Sequence, residues 1–109
     1  MPARFLVRIA RTAEADTEDL WNFIAQDNPD AADRFVQELL KQVATLERFP
    51  ARCALIQENE LMGTTYRHLL YGDYRTVFRI SGHAVFVLRI VHGSRLLDSS
   101  MFDQASQSF

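Results

Sequence analysis

The segment that most constrains the fold runs from Asn28 to Leu46. Asn28 and Pro29 head a run in which Ala32, Phe35, Val36, Leu39, Leu40, Val43 and Leu46 recur at i, i+3, i+4 and i+7. That period is helical, and a stripe so wide has to be buried against another layer. Asn28 suits an N-cap, and Pro29 suits the first helical position, where its missing N–H is not needed. Pro50 ends the helix near Arg48. Upstream, Ala13, Thr17, Leu20, Trp21 and Ile24 keep the same spacing, which predicts a first helix over about 13–26. Thr12 offers a hydroxyl N-cap, and Glu14, Asp16, Glu18 and Asp19 crowd the first turns, where the helix dipole favours acids. The short Asp27–Asn28 link makes the two helices an antiparallel hairpin whose stripe can cover one face of a sheet. Trp21 and Phe35 read as core residues of that hairpin.

The sheet is written on either side of it. Arg4–Ile9 alternates, with Phe5, Val7 and Ile9 on one side. Residues 51–63 read as a connection, with a short strand around Ala54–Gln57. Three strand-like runs follow: Thr65–Leu70, Tyr74–Ile80 and Ala84–His92, separated by Gly72–Asp73 and Ser81–Gly82 and ended by Gly93. Short glycine-containing links between such runs predict an antiparallel meander. Ala84–Leu88 is apolar on both faces, which predicts a central strand covered from both sides. Leu96–Phe102 adds a helical turn, and a tail from about 103 to 109 is expected to be flexible. The expected fold is therefore α+β: an N-terminal strand, an antiparallel helical hairpin, then a three-stranded antiparallel meander, forming one twisted sheet with the helices on one face. The 109 residues suit a single domain, 1–109.

Twelve Lys and Arg stand against fourteen Asp and Glu, a net charge of −2. That excludes a strongly basic nucleic-acid coat protein. The single cysteine, Cys53, makes no internal disulfide, and His68, His83 and His92 lack zinc-ligand spacing, so no metal and no cofactor is expected. The longest apolar run, Ala84–Leu88, is far too short for a membrane span. Met1–Ile9 holds no signal-peptide core, so a cytoplasmic protein is expected, with no membrane partner.

The charge is unevenly placed. Residues 13–47 hold nine acids and two bases, net −7. Residues 64–97 hold Asp73 against Arg67, Arg75, Arg79, Arg89 and Arg95, net +4. Arginine suits bidentate anion contacts. Arg67 and Arg75 lie on adjacent strands joined by a short turn, so both could emerge on one sheet face. His92 ends the central strand, and the following Gly-Ser turn could bring Arg95 beside it. Two arginines and a histidine in one cleft could bind phosphate and move a proton. The plainer alternative is that Arg67 and Arg75 pair with carboxylates and that Arg79 and Arg89 are solvated or pair with helix acids. Tyr66, Tyr71 and Tyr74 could stack on bases or serve as ordinary strand aromatics.

These residues carry a family resemblance. Thr12-Ala13, Asp19-Leu20, Asn28-Pro29-Asp30-Ala31-Ala32, Tyr66-Arg67-His68-Leu69, Tyr74-Arg75 and Val87-Leu88-Arg89-Ile90-Val91-His92-Gly93-Ser94-Arg95 follow in order. The set resembles the RelE/ParE superfamily of small toxins from type II toxin–antitoxin modules, and its ending looks most like the ParE branch. The resemblance implies a cognate antitoxin, bound across the helical hairpin and a sheet edge in a hetero-oligomer. It implies one of two targets. A ParE-like toxin inhibits DNA gyrase by binding; Arg67, Arg75, Arg89, Arg95 and Tyr74 would contact target or phosphate. A RelE-like toxin cleaves mRNA on the ribosome, with Arg67, Arg75 and His92 catalytic. A third alternative is an inactive member that only binds its antitoxin. The basic half contains no lysine, and the −7 hairpin suits an RNA-lined site poorly, which favours the ParE-like reading.

Overall fold

The computed structural model describes residues 4–103. Apart from Asp103, the expected flexible tail lies outside the described residues. The elements are β1 (Leu6–Ile9), α1 (Arg11–Ala25), α2 (Pro29–Ala44), α3 (Asn59–Met62), β2 (Arg67–Tyr71), β3 (Tyr74–Ser81) and β4 (Ala84–His92). Short 3-10 turns cover Thr45–Glu47, Pro50–Arg52 and Ser99–Phe102. The sheet order is β1-β4-β3-β2, with β1 parallel to β4 and the other pairs antiparallel. The architecture is α+β, as the sequence predicts, and β4 is a central strand.

The start of α2 follows the sequence closely. The Asn28 side chain accepts the Ala31 N–H at 3.0 Å and Pro29 occupies the first turn. Leu39, Val43 and Leu46 are fully buried against the sheet with Leu20, Phe78, Val85, Val87 and Ile90. Each such side chain contributes about 2 kcal/mol by leaving water. Trp21 is only half-buried, and its Nε1–H donates to Asp33 at 2.7 Å, tying α1 to α2. Phe35 is half-buried and packs against Tyr71 and Tyr74.

A second core lies on the sheet face away from the hairpin. There Ile56, Val77, Leu88, Val91, Leu97 and Phe102 are buried together. The chain segments before β2 and after β4 therefore cover what the helices leave open. The expected strand around 54–57 is reduced to an isolated bridge between Leu55 and Arg67, because the chain turns into α3 at Asn59.

Thr12 is not the N-cap of α1. That position is Ala10, and the Thr12 hydroxyl donates to the Leu88 carbonyl at 2.8 Å. The reason is a bulge in β4: Val77 pairs with Arg89 and Phe78 with Val87, leaving Leu88 without a residue opposite. Asp16, one helical turn beyond Thr12, accepts the Ile90 N–H at 2.9 Å. One face of α1 thus satisfies two backbone groups beside the bulge.

Candidate functional site

The two hairpin turns place the site. Tyr71 pairs with Tyr74, so β2 and β3 are joined by the two residues Gly72–Asp73, and Gly72 takes φ +56. A positive φ in a two-residue hairpin costs glycine little. The end of β4 folds close onto this turn. The Gly93 N–H donates to the Asp73 carbonyl at 2.7 Å, and a Cβ at Gly93 would lie 3.2 Å from that oxygen. A cleft of about 660 Å³ opens here, with Glu58, His68, Tyr74, Arg75, His92 and Arg95 among its lining residues.

Arg75 forms the floor and is buried. Its Nη1 donates to Glu58 Oε1 at 3.2 Å and its Nη2 to Glu58 Oε2, a bidentate ion pair. Nη2 also donates to the Arg95 carbonyl at 2.8 Å. Glu58 in turn accepts the Leu97 N–H at 3.2 Å. The Arg75 hydrogen bonds hold the Glu58 carboxyl below its ordinary pKa, against the opposing effect of burial. His68 Nδ1 lies 3.4 Å from Arg75 Nη1. Burial, and then the Arg75 charge, push the His68 pKa down, which favours a neutral ring.

The other arginines separate. Arg67 and Arg75 emerge on opposite faces of the sheet, not on one. Arg67 pairs with Phe78 and Arg75 with Leu70, and Arg75 and Phe78 are an odd number of residues apart on one strand. Arg67 donates from Nη1 to the carbonyls of Cys53 at 2.6 Å and Ala51 at 3.2 Å. Arg89 forms a bidentate pair with Asp16, two contacts of 2.8 Å, and donates to the Met101 carbonyl at 3.0 Å. It therefore pairs with a helix acid, one of the alternatives the sequence left open. Arg79 lies over the Phe86 ring, 4.2 Å from its centroid.

His92 is exposed at the cleft edge, with its ring edge-on to Tyr74 at 5.4 Å. The Ser94 N–H donates to His92 Nδ1 at 3.1 Å and the Ser94 Oγ lies 2.7 Å away. Arg95 is exposed at the same rim. The structure thus brings Tyr74, Arg75, His92 and Arg95 together and leaves Arg67 and Arg89 elsewhere. Glu58, the partner of Arg75, sits in the stretch read only as a connection. No group of His, Cys, Asp and Glu suited to a metal occurs among the described residues. No described helix is long and apolar enough to cross a membrane.

A helical hairpin on one face of an open sheet, with a parallel first strand and a three-stranded meander, is the architecture of the RelE/ParE toxin superfamily. The fold is similar to solved structures, among them two from toxin–antitoxin systems. The chromosomal ParDE toxin–antitoxin system from P. aeruginosa matches with TM-score 0.66 and 23% identity, over 82% of this chain and 96% of that one. The toxin–antitoxin complex RelBE2 from Mycobacterium tuberculosis matches with TM-score 0.61 and 26% identity, over 83% and 99%. No curated protein sequence matches. Residues 7–97 match the family model described as the ParE toxin of the type II toxin–antitoxin system parDE, and the chain belongs to that family.

Proposed function

We propose that the chain is a toxin that inhibits DNA gyrase by binding it and is neutralised by a cognate antitoxin. The observation that carries the reading is the Arg75–Glu58 pair. A ribonuclease needs free cations and a base converging on one phosphate. Here Glu58 neutralises Arg75 and Arg67 faces the other side of the sheet, so the strand arginines do not converge on one phosphate. The floor of the cleft is thus built as a structural plug rather than a phosphate clamp. The match to the ParE family model supports the same reading, and the solved relatives come from toxin–antitoxin systems.

The antitoxin is expected to cover the acidic hairpin and a sheet edge in a hetero-oligomer. Co-expression with the neighbouring small open reading frame tests this directly. A co-purifying complex is the expected result, and two separately eluting proteins would refute it. The cytoplasm, where gyrase works, is the expected location.

A further inference from the structure

The sheet face away from the hairpin is covered unevenly. Leu97 and Phe102 bury Val77, Leu88 and Val91 in its middle. Nearer the β3–β4 turn, a row of three side chains crosses three strands. Arg8 on β1 pairs with Phe86 on β4, and Phe86 pairs with Arg79 on β3. All three emerge on this face because their neighbours Val7, Ile9, Val85, Val87, Phe78 and Ile80 turn into the hairpin-side core. The Arg79 guanidinium lies 4.2 Å from the Phe86 centroid. With strands about 4.8 Å apart, the Cα atoms of Arg8 and Arg79 are about 10 Å apart.

These guanidiniums differ from Arg75 and Arg89 in their partners. Arg75 and Arg89 are neutralised by Glu58 and Asp16. Among the described residues, Arg8 and Arg79 have no carboxylate partner, a state they share with Arg67, which faces the hairpin side and donates to carbonyls, and Arg95, which lies at the cleft rim; Arg8 is exposed. The chain has net charge −2, yet the surplus acids of residues 13–47 lie mostly on the hairpin, across the sheet from this row. A layer thickness of about 10 Å separates them, close to one Debye length at physiological salt.

We propose that the Arg8–Phe86–Arg79 row binds the phosphate backbone of duplex DNA. A guanidinium held over a ring can still direct N–H groups to phosphate oxygens, and the ring helps hold it in place. Arg79 covers Phe86, so the ring offers no platform for an unstacked base, which disfavours a single-stranded ligand. Among the described residues the row itself lies on strands and no helix crosses it, so contact is with backbone and independent of sequence. The choice of duplex DNA rests on the gyrase reading; the anion site itself does not.

The test is binding of the purified full chain to a short labelled duplex across a salt series, with no gyrase present. Two phosphate contacts predict that log K falls with log salt at a slope of about −1.8. The double variant Arg8→Ala/Arg79→Ala should bind at least about tenfold more weakly at low salt and lose most of that slope. Arg8→Lys/Arg79→Lys should keep most of the slope, and Arg34→Ala, on the hairpin, should bind like the parent. Circular dichroism of the variants checks the fold. No binding at low salt, or an unchanged slope in the alanine double variant, overturns the proposal. So does tighter binding of single-stranded RNA, or equal competition by polyglutamate. Gyrase inhibition is not read here, so a failure of that reading leaves this result standing.

Discussion

Arg75 and Glu58 form a buried bidentate ion pair that joins β3 to the stretch before α3. The same two side chains hold the chain after β4, through the Arg95 carbonyl and the Leu97 N–H. One pair therefore fastens three segments around the cleft. Removing one partner leaves a buried charge without its counterion. Glu58→Ala is expected to destabilise the fold by about 3–5 kcal/mol, and Arg75→Ala by a similar amount. Urea denaturation measures both. A loss below about 1 kcal/mol would mean the pair behaves as an exposed one.

Stability should fall with acid in two windows. The folded pKa of His68 is lowered from 6.5, so the unfolded chain takes up a proton that the folded chain resists. The contribution is complete above 6.5 and is lost as the pH falls below it, by at most about 1.4 kcal/mol per pH unit. The Glu58 pKa is lowered from 4.5, so its contribution is complete above 4.5 and is lost as the pH falls through the folded value. Denaturation of His68→Gln at pH 7 and pH 5 isolates the first window. The variant should lose less stability than the parent between those values; equal losses would remove His68 from the explanation.

Asp16 should matter more than a helix-surface acid. It pairs with Arg89 and accepts the Ile90 N–H beside the β4 bulge, with side chains only 13% and 17% exposed. Asp16→Ala is expected to cost about 2 kcal/mol, between an exposed and a buried pair. Thr12→Val removes the neighbouring hydrogen bond to the Leu88 carbonyl and should cost about 1 kcal/mol. Amide exchange at Ile90 should accelerate in the Asp16 variant. An unchanged rate would show that the bulge does not depend on α1.

The helical hairpin and the central strand were legible because each is written in a local pattern: a cap, a proline and a 3.6-residue stripe for α2, and the two-sided apolar run Ala84–Leu88 for β4. Thr12 was misleading for a physical reason. A hydroxyl at the start of a helix looks the same in sequence whether it caps the helix or donates to a bulge 76 residues away. The opposite facing of Arg67 and Arg75 was recoverable in principle, since a two-residue turn at Gly72–Asp73 fixes every pairing beyond it. Glu58 was not recoverable. Its role depends on tertiary contacts with Arg75 and Leu97, and no local periodicity marks it.

Gyrase supercoiling in the presence of the purified toxin, with a translation extract run in parallel, tests the functional reading most directly. Supercoiling should be inhibited at micromolar toxin and restored by the antitoxin, while mRNA in the extract stays intact. Unimpaired supercoiling together with mRNA cut on the ribosome would contradict it.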